Sequence, residues 1–354
     1  MAIYYSVFFT LVLFSFWEIY NPSWSKIIGL FVAVFFINFV GIRYAVGNDY
    51  FTYYENYQGI NNGSGTVSTE IAYVFLNKIL SFETVIYIFS LLSFIFLNSA
   101  IDFFCLRHKI LSYLVYFSFF LITFNLHIIR QGLAIAIILY GYRFLFNKNY
   151  LKFILIVLIA STFHLSALIL LPFTLLINLK IAPFYQFLLI FTSLGILLFQ
   201  EVIVGFYYSI AGNIPFLNKY LLVYREEERI SYGLSSGMIL DLIVLLTLFF
   251  KRNLLLEKEE FLFRIFFIST LLTFVLSIDP AALRLVYYFR IVIIFLIPLF
   301  FRLFKFQFLS FIIISAICLQ YLWITFNVEG EYGRGDRNLA YFTIFNKGDF
   351  QHLP

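Results

Sequence analysis

The chain has 354 residues, of which 62% are hydrophobic, 22% aromatic and only 12% charged, with a mean hydropathy of +0.94. Soluble proteins carry about 25% charged residues, so this composition excludes an ordinary soluble domain and indicates an all-α polytopic integral membrane protein. The net charge of +5 comes from basic residues scattered between apolar runs, which excludes a nucleic-acid partner. Cys105 and Cys318 both lie in apolar runs without metal-ligand spacing. The N-terminal Met1-Ala2-Ile3-Tyr4-Tyr5 lacks the basic region of a cleaved signal peptide, so the first span is expected to stay.

A span needs about 20 apolar residues. Taken in order, the expected passes are roughly 3–20, 27–46, 84–106, 110–126, 128–146, 153–164, 165–179, 183–204, 236–250, 261–278, 284–301 and 306–326. These predict a bundle of about twelve helices over 1–326, with external loops at 47–83 and 205–235 and a polar tail over 327–354 whose default is partial disorder. The interval 153–179 is read as two short passes turning at His164; a re-entrant hairpin gives the same sidedness. With that split, Lys26, Lys109, Lys148, Lys152, Lys180, Lys251, Lys258 and Lys305 share one face, which the positive-inside rule makes cytoplasmic, and only Lys78, Lys219 and Lys347 fall opposite. Arginine does the reverse. Arg43, Arg130, Arg225, Arg229, Arg284, Arg290, Arg334 and Arg337 fall outside, against Arg107, Arg143, Arg252, Arg264 and Arg302 inside. Arginine suits bidentate recognition of phosphate and carboxylate, so the outer excess points to an anionic ligand on that face. Arg225 and Arg229 bracket Glu226-Glu227-Glu228 and read as a self-paired loop.

The polar groups concentrate at a few places. His127, Arg130, Gln131 and the small Ala134 open the run 128–146 and are spaced to share one helix face. An arginine near the apolar part of a span calls for a partner or a ligand, unless it snorkels to lipid phosphates. Arg43, Asp49, Tyr50 and Tyr53 lie in an aromatic, hydrogen-bonding segment suited to sugar rings, or to an interfacial tyrosine belt. Residues 69–80 interleave Glu70, Tyr73 and Asn77 with apolar residues, as in a helix lying on the outer surface. Asp279-Pro280 is a helix start, and Arg284, Tyr287 and Tyr288 then share a face, whereas Arg290 needs a separate partner. Asp102 and Asp241 are intramembrane acids that pairing would explain.

Four stretches resemble the EpsG family of polysaccharide polymerases, which are Wzy-like enzymes. They are Arg43 with Gly47-Asn48-Asp49-Tyr50 and Tyr53; Glu70 through Tyr73 to Asn77; Ile129-Arg130-Gln131-Gly132-Leu133-Ala134; and Ile159-Ala160 through Phe163-His164 to Ser166-Ala167 with Leu171-Pro172. Arg284 with Tyr288-Phe289 and Pro298 is similar to a fifth. The loop 205–235 and the tail match nothing in that pattern. The resemblance implies a GT-C-like bundle in a bacterial cytoplasmic membrane, with its site facing outward. It implies polymerisation of repeat units carried on undecaprenyl pyrophosphate, into O-antigen, capsule or exopolysaccharide. A separate chain-length regulator is an expected partner, and neither a cofactor nor a metal is expected. On that reading Arg130 and Arg284 hold the pyrophosphate with Arg43 as a third clamp, and His164 is the base for the acceptor hydroxyl, with Asp49 the alternative. His127, Gln131, Tyr50, Tyr53, Tyr288 and Arg290 line the substrates. A flippase for lipid-linked oligosaccharides and a polysaccharide ligase remain the competing readings.

Overall fold

The structure, a computed structural model, describes residues 1–63, 70–105, 108–177, 179, 181–200, 202, 234–277, 280–327 and 340–346. In lipid every backbone polar group must be satisfied within the protein, and the apolar runs answer that as helices. The chain forms two compact units, Met1–Thr174 with Ile291–Pro354, and Leu175–Arg290.

The first unit is built around one helix. Lys109–Tyr116 (α6) runs on without interruption as a π-helix over Phe117–His127, and 94% of the combined segment is buried. Around it pack Ala2–Tyr20 (α1), Ser25–Gly41 (α2), Ile129–Phe146 (α7), Ile293–Leu303 and Gln307–Asn327. Phe82–Phe104 (α5) packs on α2 and α7, and Tyr150–Ser161 (α8) on α7. The start of α6 is capped from another helix. The Lys109 and Ile110 N–H groups donate to the carboxylate of Glu18 at 2.8 and 3.0 Å, and the Ser25 hydroxyl donates to it too. These bonds supply partners that the first turn of a helix lacks, and Glu18 is accordingly buried. Asp102 pairs with Lys109, so this intramembrane acid is a structural ion pair.

The second unit holds Pro183–Leu198, Ser236–Phe250, Glu257–Leu276 and Pro280–Arg290. Three of these pack on Glu257–Leu276, with Leu197, Met238 and Phe274 at the centre. Ser235 caps its helix through the Met238 N–H at 3.2 Å. Glu260 gathers Arg252 and Arg264, and Arg252 also donates to the buried Gln186 at 3.0 Å.

Among the described residues each of the twelve expected apolar segments contains helix, but the lengths differ. Among the described residues six helices are long and apolar enough to cross a membrane, and a seventh appears if Ala282–Arg290 and Ile293–Leu303 count as one broken span. The interval 153–179 does turn at His164, yet α8 has 12 residues, about 18 Å of helix against the roughly 30 Å of hydrocarbon. Beyond the turn come a 3₁₀ segment, Leu165–Ile169, and Leu170–Leu176. Residues 71–79 form the expected surface helix (α4, Ile71–Ile79). Tyr73 and Asn77 face inward, and Ile71, Phe75 and Ile79 are 76%, 60% and 58% exposed, an outward apolar face suited to lipid.

One helical stripe expected from sequence is broken. His127 ends the π-run, Ile128 leaves helical geometry at φ −86° and ψ 59°, and α7 begins at Ile129. The break folds the chain back so tightly that a Cβ on Gly132 would lie 2.0 Å from the Phe124 carbonyl oxygen. Gly132→Ala should therefore lower stability by about 1–3 kcal/mol or more. Gly195→Ala, where a Cβ meets nothing within 4 Å, should be neutral or stabilise by about 0.5–1 kcal/mol. Thermal unfolding of both variants in detergent checks the contrast.

Candidate functional site

The break at Ile128 is where the polar residues of the first unit meet. The segment after α2 pairs as a short strand, Arg43–Tyr44 (β1), and then loops over the end of the π-run before Tyr50–Asn62 (α3) begins. Two left-handed residues shape the loop, Ala45 at φ 53° and Gly47 at φ 100°. Gly47 is required twice over: its φ suits glycine, and a Cβ there would lie 2.0 Å from the Leu126 carbonyl oxygen. That contact lets the Asn48 N–H donate to His127 Nδ1 at 2.9 Å. His127 is fully buried, so its Nδ1 is occupied by backbone, and Nε2 carries the ring proton in the neutral form.

Arg130, at the second position of α7, reaches α4 and α3. Its Nη1 donates to Glu70 Oε2 at 2.6 Å, and its guanidinium carbon lies 5.1 Å from the Tyr73 ring centre and 5.5 Å from that of Tyr53. Both rings are buried. Burial first, then the nearby Asp49, pushes the Tyr53 phenol up to about 12, so it stays a neutral donor. Tyr50 is buried edge-on against Tyr44 and Phe82, and Gln131 is buried beside Arg130 in sequence. Glu70 was legible as a motif residue but not as a site residue, because nothing local shows that it answers a charge sixty positions away.

His164 is half-buried at the turn after α8. Its Nδ1 lies 2.6 Å from Ser166 Oγ. If Nδ1–H donates to that hydroxyl, Nε2 bears the lone pair a base needs. The turn is tied to the same region, since the Ala72 N–H of α4 donates to the Thr162 carbonyl at 3.1 Å and Phe163 packs edge-on against Phe89 of α5. Asp49 precedes α3 without capping it through its side chain.

Arg43 differs from the rest. It is 1% exposed, and among the described residues none of its three guanidinium nitrogens has a hydrogen-bond partner. Tyr50, Tyr53, Tyr4 and Tyr341 are the groups that act on it electrostatically, and burial pulls its pKa down to about 10, which leaves it charged at neutral pH. It borders a cavity of about 10 Å³ shared with Ser90, Ser93 and Asn125, room for about one water. Tyr341 comes from the tail. Residues 340–346 are folded, not disordered: Phe342–Thr343 (β2) pairs antiparallel with β1, with Arg43 opposite Thr343.

The second unit carries its own polar group. Arg290 donates through Nε and Nη2 to Asp241 at 2.7 and 3.1 Å. Asp241 is therefore the separate partner that Arg290 needed. The pair borders a cavity of about 210 Å³ with Ser235, Thr273 and Tyr287. Arg284 and Tyr288 belong to the same helix, Tyr288 fully buried. Asp279, most of the loop 205–235 and the tail arginines lie outside the described residues. Among the described residues, no three His, Cys, Asp or Glu side chains are grouped to hold a metal ion.

The Arg130–Glu70 pair is partly open, with side chains 24% and 14% exposed, so solvent screens some of its attraction. A double-mutant cycle on Arg130→Gln and Glu70→Gln should return a coupling of about 1–2 kcal/mol in unfolding experiments; no measurable coupling would show that the two do not act as a pair. No curated protein and no solved structure matches the chain. Residues 26–342, which take in β1, the break at Ile128, the His164 turn and the Arg290 helix, match the EpsG family, and the chain belongs to that family.

Proposed function

We propose that this protein is a membrane glycosyltransferase that joins undecaprenyl-pyrophosphate-linked repeat units into a surface polysaccharide. The setting is the outer face of the bacterial cytoplasmic membrane. Family membership supports the polymerase class. The observation that carries the chemistry is the pairing of two unlike arginines at one helix break: Arg130 on Glu70 and two tyrosine rings, and Arg43 buried without a hydrogen-bond partner among the described residues.

A hydroxyl of the acceptor repeat attacks the anomeric carbon of the donor chain. The bond from that carbon to the phosphate oxygen breaks, and undecaprenyl pyrophosphate leaves with the electron pair. The hydroxyl proton passes to His164, with Asp49 the alternative base. The leaving group is already a strong anion, so it needs positive charge more than a proton. Arg130 supplies that charge, and Arg43 joins it when it becomes accessible. His127 and Gln131 hold the break in shape. Tyr50 and Tyr53 line the sugars. A chain-length regulator would act from outside this chain.

Purified protein in lipid, given a synthetic lipid-pyrophosphate repeat, should produce a ladder of oligomers. Transfer of a single chain onto a different acceptor would instead make it a ligase, and movement of the substrate between leaflets without new bonds would make it a flippase. Within the polymerase reading, Arg130→Lys keeps the charge but loses the planar fork. It should cut turnover about 10²-fold or more, and polymerisation at the unaltered rate would remove Arg130 from the leaving-group site.

A further inference from the structure

A buried arginine with no partner is the least expected arrangement a charged residue can take. Removing one side of a buried pair costs a fold heavily, because it leaves the other charge uncompensated. Among the described residues Arg43 has no hydrogen-bond partner, and its neighbouring cavity of about 10 Å³ takes no more than about one water. A phosphate cannot enter there. The tail is the paired neighbour of the strand that carries Arg43. Phe342–Thr343 pairs with β1, and Thr343 lies directly opposite Arg43, so the two side chains project from the same face of the pairing. The Ile344 N–H donates to the Ile42 carbonyl at 2.9 Å. Tyr341 stacks on Phe39 with ring centres 4.5 Å apart and donates to the Phe39 carbonyl at 2.6 Å.

The attachment is short and self-contained. The paired strands are two residues each. Beyond them the cover holds its own shape: the Thr343 N–H donates to Asn346 Oδ1 at 2.6 Å, the Thr343 hydroxyl donates to the same oxygen, and the Phe345 N–H donates to Thr343 Oγ1 at 3.3 Å. It is half-buried, and Phe345 at its tip is 81% exposed. Such a piece can lift as a unit, giving up its bonds to α2 and β1 and the edge-on contact of Tyr341 with Tyr4 of α1. Lifting it removes Tyr341 and Thr343 from Arg43 and opens a site of positive charge walled by Tyr4, Tyr50 and Tyr53.

We infer that Tyr341–Asn346 is a displaceable cover over an anion site at Arg43, and that a phosphate of the lipid-linked substrate occupies the guanidinium once the cover lifts. The identity of the anion rests on the polymerase reading above; the cover itself does not. The cover keeps an uncompensated charge out of water in the resting protein and makes Arg43 available only when an anion is there to meet it.

The test uses the full chain in lipid nanodiscs with the paired substitution Tyr44→Cys and Phe342→Cys. These residues are directly opposite, at the roughly 4.5–5.5 Å Cα separation of antiparallel partners that a disulfide can bridge. An arginine-specific dicarbonyl reagent then reports access to Arg43, read by mass spectrometry of the peptide that contains it. Modification should be at least about tenfold slower in the oxidised form than in the reduced form, since a crosslink removes the open population from which reaction proceeds. Tyr341→Ala, which loses a ring stack and a hydrogen bond, should speed it about tenfold. Equal rates in the oxidised and reduced forms, or in Tyr341→Ala and the unaltered chain, overturn the cover. Undecaprenyl pyrophosphate should protect Arg43 in the reduced form better than inorganic pyrophosphate does. Protection by inorganic pyrophosphate alone overturns the lipid-linked substrate, and protection by neither overturns the anion site. Where modification depends on the crosslink but no repeat-unit ladder forms in any state, the cover stands and the polymerase reading falls.

Discussion

A charge taken out of water must be answered inside the protein, and that constraint orders the polar residues of this chain. Most of its described half-buried arginines are answered in conventional ways. Arg252 and Arg264 share Glu260. Arg143 lies 3.5 Å above the Tyr140 ring. Arg290 is held by both oxygens of Asp241. Arg130 combines the two devices, a carboxylate and two aromatic faces. Each arrangement replaces hydration with a fixed set of partners. Arg43 has tyrosines about it and no hydrogen bond among the described residues. The fold holds it there through contacts that do not involve its side chain: the β1–β2 pairing, the Gly47 contact with Leu126 and the Asn48–His127 bond.

The break at Ile128 explains why these groups collect where they do. A helix end leaves carbonyls without partners, and a helix start leaves N–H groups without partners. Here an end and a start lie one residue apart, in a segment otherwise closed to water. π-helical geometry is rare and recurs at functional positions, and an eleven-residue π-run leads into this break. The start of α7 also presents the positive end of a helix dipole beside Arg130, which favours an anion there. The loop from Arg43 to Asp49 closes over the break, and α3 and α4 bring tyrosines and Glu70 to its side. A site for a diphosphate leaving group needs this combination: charge that persists at every working pH, donors fixed before the reaction, and little water.

Much of the helical layout was legible in the sequence, because apolar runs and their breaks are local signals. The turn at His164, the surface helix at 71–79 and the need of Arg290 for a partner all followed from spacing. What was not legible depends on contacts between distant positions. Glu18 caps a helix that starts ninety residues later, and a lone glutamate in an apolar run gives no sign of that. Glu70 looks like one polar residue of an amphipathic helix until Arg130 is placed against it. The tail reads as polar and unstructured, yet Tyr341 reaches Phe39 across a separation of 302 positions. Length is a separate matter: hydropathy registers that 150–161 and 165–176 are apolar, and a turn between them leaves each a short helix.

The sequence places more arginines than lysines on the expected outer face, and the structure ranks them differently. A count treats every guanidinium alike, but only one whose charge is not already spent on a protein carboxylate is disposed toward a ligand. Arg290, counted toward the excess, is bound through two donors to Asp241, so its inclusion says little about an anion. Arg130 is an intermediate case: its carboxylate partner uses one edge of the fork, and an incoming phosphate would have to compete with Glu70 or bind the remaining donors beside it. Arg43 has no carboxylate to displace, and its barrier is steric instead, a strand of two residues and one stacked ring. Disposition toward an anion therefore rests on a contrast between two arginines, one restrained by a counter-ion and one by a cover. Restraints of these two kinds respond to different variables, since salt weakens the first and leaves the second largely untouched.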